Sequence, residues 1–323
     1  MKIAILGVGA YAIALARVFN KNKNNQVMMW AKFKEEAKVV MEKRENAGVL
    51  PGVKIPDDIK ITMNLGACME DASIVILAVP ASAVRAVSEE VAVYATRDQI
   101  LCVVSKGIEP KTNMFMSEIL YEATKNENIC MISGPSFAIE IANDSKTGFN
   151  VASNNIKAAQ VVKEQFENGL VVSVCDDIIG VQVAASIKNV FAIFMGMLNG
   201  MDMKDSYKAS CLACLVRDLG DTIVALGGKR ETIFTFAGLG DMLLTCMSSK
   251  SRNFTFGTYV GRGYSMQEAF ETMSVKTVEG IYTLSTITDL MEKKKFKIKS
   301  LEVLYDILYN NAPKDDLLDK IRM

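Results

Sequence analysis

The stretch Lys2-Ile3-Ala4-Ile5-Leu6-Gly7-Val8-Gly9-Ala10-Tyr11-Ala12 carries the reading of the fold. Residues 2–6 form an isoleucine-rich apolar run with the length of a strand. Residues 11–19 then repeat apolar side chains at helical spacing. Between them lies Gly-x-Gly-x-x-Ala, which after a strand and before a helix is the dinucleotide fingerprint. Gly7 permits the tight turn, Gly9 lets a pyrophosphate approach the backbone, and Ala12 lets the helix pack on the strand. The helix N-terminus then offers amide N–H groups and a partial positive charge to the phosphates.

Working outward, residues 26–30, 73–79, 100–105 and 129–132 read as further strands separated by helical stretches. This alternation predicts a parallel sheet with helices on both faces. The unbroken apolar run at 74–79 fits a strand buried on both sides. From residue 178 the period changes: residues 178–198, 208–226, 265–273, 280–293 and 301–309 repeat at helical spacing. The expected fold is α/β. An N-terminal Rossmann-like doubly wound sheet, the dinucleotide-binding domain, covers residues 1–178. A C-terminal all-helical domain for substrate and catalysis covers 179–323.

Composition agrees with two domains and narrows the chemistry. The chain has 323 residues, half of them hydrophobic and 23% charged, which suits two packed cores and argues against disorder. Lys plus Arg and Asp plus Glu number 37 each, so the basic excess of a nucleic-acid binder is missing. No run of about 18 apolar residues occurs, so no membrane span is expected. Met1 leads straight into the first strand, so no signal peptide is expected either. The chain has no histidine, which excludes Ser-His and Cys-His catalysis and histidine metal ligands. Proton transfer falls to Lys, Asp, Glu, Tyr, Cys or water. Seven cysteines, an odd number lying mostly in apolar runs, read as reduced thiols of a cytoplasmic protein. Cys211-x-x-Cys214 lacks a second pair of ligands, so no metal site is expected. The five lysines within residues 293–299 read as a solvated turn.

Several polar residues stand out against this background. A site that prefers NAD often has an acid after the second strand, to hold the ribose hydroxyls. Here Trp30-Ala31-Lys32-Phe33-Lys34 follows, and the nearest acids, Glu35 and Glu36, begin a helix. Lys32 and Lys34 are either 2′-phosphate contacts or simply solvated. The first reading favours NADPH, with NADH as a second cofactor. Lys188 lies in the apolar helical run, where an ammonium either snorkels to the surface or lines a site. Lys106-Gly107 and Gly134-Pro135-Ser136 each follow a strand, where open α/β sheets bind ligands. Asp241 stands between glycines and an apolar stretch; a helix cap is its plainest explanation. Ser251-Arg252-Asn253 reads, taken alone, as a surface loop. Its Arg252 also has the planar fork of donors that suits a phosphate.

Short segments with matching order and spacing run through nearly the whole chain. They include residues 7–12, 46–52, 105–107, 133–138, 180–182, 188–190, 238–241, 244–246, 251–253 and 278–280. Together they resemble the bacterial-type NAD(P)-dependent glycerol-3-phosphate dehydrogenases. The resemblance implies reversible reduction of dihydroxyacetone phosphate to sn-glycerol 3-phosphate, feeding phospholipid synthesis, and a homodimer. It implies that Lys188 is the catalytic lysine and Lys106 a second active-site lysine touching cofactor and substrate. Gly134, Ser136, Asp241, Ser251, Arg252 and Asn253 match substrate positions. Ala10, Tyr11, Lys32, Ala138, Arg252 and Glu279 match cofactor positions. Asp241 is expected to orient Lys188 rather than to exchange protons itself.

The chain departs from the family pattern on one helix. Ser206 replaces a usual Asn, and Ala213-Cys214-Leu215 replaces a usual Thr-Arg-Gly, so an arginine is missing. Arg217, about one helical turn on, offers a replacement, and Asp218 stands where Glu is common. Two other readings therefore stand beside the first: a related reductase of another small carbonyl compound, and a non-catalytic NADP-binding protein.

Overall fold

The computed structural model describes residues 1–166, 170–275 and 277–320. The chain divides into two compact units. One comprises Met1–Lys106 with Phe115–Ile178, the other Gly107–Met114 with Ile179–Met323. The short segment Gly107–Met114 thus groups with the second unit, although it lies inside the first in sequence.

The first unit is built on one eight-stranded sheet. Its strands are β1 (Lys2–Leu6), β2 (Gln26–Trp30), β3 (Lys60–Thr62), β4 (Ile74–Leu77), β5 (Ile100–Val103), β6 (Ile129–Ser133), β7 (Gly148–Ala152) and β8 (Val171–Cys175). Their spatial order is β3-β2-β1-β4-β5-β6-β7-β8. The chain therefore reverses direction across the sheet between β1 and β4, the point at which such sheets bind ligands beyond their carboxyl ends. Every residue of β4, β5, β6 and β7 is buried, as strands covered on both faces require. Phe19, Phe149 and Phe166 meet as tilted rings in the core.

The sheet is parallel, as the alternating pattern predicts, except at one strand pair. β6 and β7 are antiparallel, pairing Met131 with Ala152 and Ser133 with Asn150, and β8 then runs parallel to β7. The connection from β6 to β7 holds only a five-residue helix, Ala138–Ala142. A full crossover helix is what usually returns a chain for parallel pairing, and none is present. Three strands escaped the sequence reading. β3 has three residues, β7 carries glycine and asparagine, and β8 is mostly half-exposed.

The described residues of the second unit contain helices and no strand. Its centre is helix Ile178–Gly200, which is long and apolar enough to cross a membrane by length and composition alone. However, 94% of its most apolar stretch is buried inside the protein, as in a core helix. Helix Arg252–Gly261 crosses it at unusually close range. A Cβ on Gly257 would lie 2.0 Å from the Ile193 carbonyl oxygen, and one on Gly261 would lie 2.2 Å from that of Met197. The contact is reciprocal, because a Cβ on Gly196 would lie 2.1 Å from the Phe254 carbonyl oxygen. Only hydrogen side chains let two helix backbones come this close.

Gly257→Ala should therefore force the two helices apart. The expected cost is about 3 kcal/mol of folding stability, read as a lower urea midpoint with an unchanged m-value. An unchanged midpoint would show that the crossing relaxes freely.

Candidate active site

In the first unit the fingerprint turn has the shape its sequence demands. Gly7 has φ +128°, and a Cβ there would sit 2.5 Å from the Ala78 carbonyl oxygen. No other residue fits. Its N–H donates to the Trp30 carbonyl at 2.9 Å. Gly9 is extended and precedes helix Ala10–Lys21, which no side chain caps. A Cβ on Gly9 would meet no atom within 4 Å. Open space before an uncapped helix start fits a pyrophosphate, and Ala12 is fully buried against the core.

Asn46 pins this turn, a task the sequence reading did not assign to it. Its Nδ2 donates to the Val8 carbonyl and to Glu36 Oε1, each at 2.9 Å. Tyr11 and Ser136, matched to cofactor and substrate respectively, meet through their hydroxyls at 3.0 Å. Ser136 also donates to the Gly134 carbonyl at 3.0 Å. Gly134 itself has a packing reason to lack a side chain, since a Cβ would lie 2.2 Å from the Gly148 carbonyl oxygen. Ala138 opens the short helix after them, half-buried against the core. Lys106 is half-buried, three residues past the end of β5. Ser105 beside it donates to the Val79 carbonyl at 2.5 Å, tying together the loops after β4 and β5. Lys32 is exposed and ion-paired with Glu90 at 2.5 Å. Lys34 is exposed at the start of helix Lys34–Lys43.

In the second unit Lys188 does not snorkel out to the surface. It is 5% exposed, with Nζ 3.0 Å from Asp241 Oδ1 and donating to Thr245 Oγ1 at 2.7 Å. The helix-cap explanation of Asp241 does not hold. Gly240 takes the cap position of helix Asp241–Cys246, and the Asp241 side chain, 2% exposed, faces the ammonium. Thr245 in turn donates to the Asp241 carbonyl at 2.7 Å, one helical turn back. Thr245 belongs to the family-like segment 244–246, but only the folded chain gives it this role.

The surface-loop reading of residues 251–253 is also corrected. They begin helix Arg252–Gly261, with Ser251 capping it by accepting from the Phe254 N–H at 3.3 Å. Ser251 and Asn253 are buried, while Arg252 is exposed. Asn253 Oδ1 accepts the Gly280 N–H at 2.9 Å, in the first turn of helix Glu279–Lys294. Glu279 Oε2 accepts from Asn189 Nδ2 at 3.2 Å, beside Lys188 in sequence. Asn253 and Glu279 thus tie the starts of helices Arg252–Gly261 and Glu279–Lys294 to each other and to the middle of helix Ile178–Gly200.

The departures from the family pattern lie on helix Asp205–Ala225. Ser206 is exposed and Cys214 half-buried. Arg217 is largely exposed, 3.6 Å from Asp218, which accepts a hydrogen bond from Ser300 at 2.6 Å. The lysines of residues 293–299 are exposed. Cys246 lies against the buried pair, and burial pushes its thiol up to about 12, with the Asp241 charge adding to the rise and Lys188 opposing it. It is therefore a neutral thiol at ordinary pH and no nucleophile.

A doubly wound sheet with an open glycine turn, joined in one chain to a helical unit holding a buried lysine–aspartate pair, defines a dinucleotide-dependent oxidoreductase. Residues 2–159 match the model of the NAD-dependent glycerol-3-phosphate dehydrogenase N-terminus, and residues 177–319 match that of its C-terminus. A glycerol-3-phosphate dehydrogenase [NAD(P)+] of Listeria innocua is 32% identical over 98% of this chain and 95% of its own. One from Bacillus pumilus is 33% identical over 99% and 93%. The crystal structure of glycerol-3-phosphate dehydrogenase from Coxiella burnetii superposes with a TM-score of 0.91 at 27% identity, covering 98% of this chain and 97% of the other. The chain belongs to the NAD-dependent glycerol-3-phosphate dehydrogenase family, and its NAD(P) dependence is that of the family.

Two outcomes follow from the buried groups. Asp241→Ala leaves the Lys188 ammonium without its carboxylate and should cost about 3–5 kcal/mol of stability, measured by urea unfolding. A cost below about 1 kcal/mol would show that Lys188 swings out to water. The second outcome concerns pH. Burial also pushes Cys68 up to about 12. Both thiols stay protonated in the folded chain above pH 9, whereas the unfolded chain releases those protons. Their contribution to stability is complete below pH 9 and is lost as pH rises toward 12. The melting temperature should fall over that window, and less steeply in Cys68→Ala/Cys246→Ala. Equal slopes would exclude these thiols as the cause.

Proposed function

We propose that this protein reduces dihydroxyacetone phosphate to sn-glycerol 3-phosphate, reversibly. NADPH is its principal cofactor and NADH a second, and the product feeds phospholipid synthesis. The observation that carries the reading is the buried Lys188 ammonium, held by Asp241 and Thr245 in a chain without histidine.

Ketone reduction needs a proton donor and a stabilising charge at the carbonyl oxygen. The nicotinamide, when bound, supplies the hydride. Lys188 supplies the rest: its charge stabilises the developing alkoxide, and Nζ then gives up a proton to the oxygen. In the reverse direction the neutral amine takes the hydroxyl proton. Asp241 and Thr245 both accept from Nζ, so they hold the amine in place. Asp241 orients the lysine rather than exchanging protons itself.

Arg252, Ser251 and Asn253 are assigned to the substrate phosphate. A guanidinium at the first turn of a helix combines a bidentate fork with the favourable end of the helix dipole. Lys106 adds a second cation for substrate and cofactor, and Gly134 and Ser136 complete the substrate contacts. The dinucleotide is assigned to Gly7, Gly9, Ala10, Tyr11, Ala12, Lys32, Lys106, Ala138, Arg252 and Glu279. On this reading residues 1–178 form the dinucleotide-binding domain and residues 179–323 the substrate and catalytic domain. Seven free cysteines suit a cytoplasmic location.

The test is NADPH oxidation, followed by absorbance, with and without dihydroxyacetone phosphate, and with NADH in parallel. Substrate-dependent oxidation is expected, faster with NADPH. Lys188→Ala should lower turnover by about 10³-fold while NADPH still binds. Arg252→Ala should raise KM for dihydroxyacetone phosphate about 10- to 100-fold. Turnover like that of the unmodified protein in Lys188→Ala would remove Lys188 from the chemistry. An unchanged KM in Arg252→Ala would point to a substrate without phosphate.

A further inference from the structure

The end of β2 is where a dinucleotide site of this kind distinguishes its cofactors. An acid there holds the ribose hydroxyls, and a base accommodates the 2′-phosphate. This chain presents both charges at that place, but the acid comes from far away in sequence. Lys32, two residues past β2, has its Nζ 2.5 Å from Glu90 Oε1, on helix Val84–Ala92 and 58 residues further on. The same ammonium lies 5.9 Å from the centroid of the Trp30 ring. Of the two nearer acids, Glu35 is exposed in the first turn of helix Lys34–Lys43, and Glu36 accepts from the Asn46 amide that pins the glycine turn.

We infer that Glu90 is a cofactor-specificity residue: it competes with the adenosine 2′-phosphate for Lys32 and so keeps the site usable by both NADPH and NADH. The inference rests on the assignment of Lys32 to that phosphate. A 2′-phosphate brings a charge of roughly −1.5 to −2. To reach Lys32 it must displace the Glu90 carboxylate or sit beside it, and either costs binding energy. A 2′-hydroxyl brings no such charge, so Glu90 does not oppose NADH. The carboxylate can also accept a hydroxyl hydrogen bond. The two side chains are 39% and 42% exposed, so solvent screens the pair. The effect is therefore a moderation of preference rather than a reversal.

The experiment is a fluorescence titration of NADPH and NADH onto the full chain, comparing Glu90→Gln, Lys32→Met and the double variant with the unmodified protein. Glu90→Gln should tighten NADPH about two- to fivefold and leave NADH unchanged or slightly weaker. In the Lys32→Met background the same substitution should lose most of its effect on NADPH, because the two residues act through one another. If Lys32→Met weakens NADPH selectively but Glu90→Gln changes neither cofactor, the role of Glu90 is overturned and Lys32 keeps its own. If Lys32→Met weakens neither cofactor, the assignment of Lys32 fails and the inference falls with it. A Glu90→Gln effect that persists at full size without Lys32 would show that Glu90 acts elsewhere, which also overturns it.

Discussion

Lys188 is an ammonium in the middle of a mostly apolar, buried helix, and it is held there by Asp241 and Thr245. Taking both charges out of water costs several kcal/mol per ion before their attraction repays it. A well-packed apolar pair of similar volume would serve the fold as well or better. The pair is therefore poor value as a stabilising device and makes sense as chemistry. Without histidine, a lysine is the strongest candidate to combine a positive charge with a transferable proton. Its burial raises the worth of that charge, because fewer water dipoles screen it.

Holding such a group at one position demands rigid neighbours, and the second unit supplies them through its helix crossings. The reciprocal glycine contacts bring helix Arg252–Gly261 close to helix Ile178–Gly200. Gly280 does the same at the start of helix Glu279–Lys294, where a Cβ would lie 2.6 Å from the Asn189 carbonyl oxygen. Polar side chains then lock the start of that helix: Asn253 accepts from Gly280, and Asn189 donates to Glu279. The residues assigned to phosphate and proton therefore sit on backbones whose separation is set by contact with carbonyl oxygens rather than by adaptable side chains. The departures at Ser206 and Cys214 fall on another helix, and Lys188, Asp241 and Thr245 form their contacts without them.

The first unit meets a different demand with the same economy. Its turn must leave a backbone bare for phosphates, and bare backbone is floppy unless something else restrains it. Asn46 supplies that restraint through the Val8 carbonyl, and Gly7 is clamped between Ala78 and Trp30. At the end of β2, Lys32 and Glu90, the pair proposed for cofactor discrimination, neutralise each other at the surface. Exposed pairs are weak and adjustable, which suits a choice between two similar cofactors better than a buried pair would.

The local signals in the sequence were sufficient wherever a structural rule is itself local. The glycine fingerprint, five strands, the change to helical period near residue 178 and the anomaly of Lys188 all follow from residues close together in the chain. Other features depended on which distant segments meet. The period of β6 and β7 says nothing about their relative direction, which the short connection between them decided. Residues 251–253 read as loop because they are polar, yet tertiary packing buries two of them at a helix start. Asp241 and Thr245 lie more than fifty residues from Lys188, and Glu90 lies 58 from Lys32. By itself the sequence determined which groups could not be left unpaired in an apolar interior. Only the tertiary structure decided their partners, because the cost of burying a charge is a local property while the group that relieves it is chosen by the folding of the whole chain.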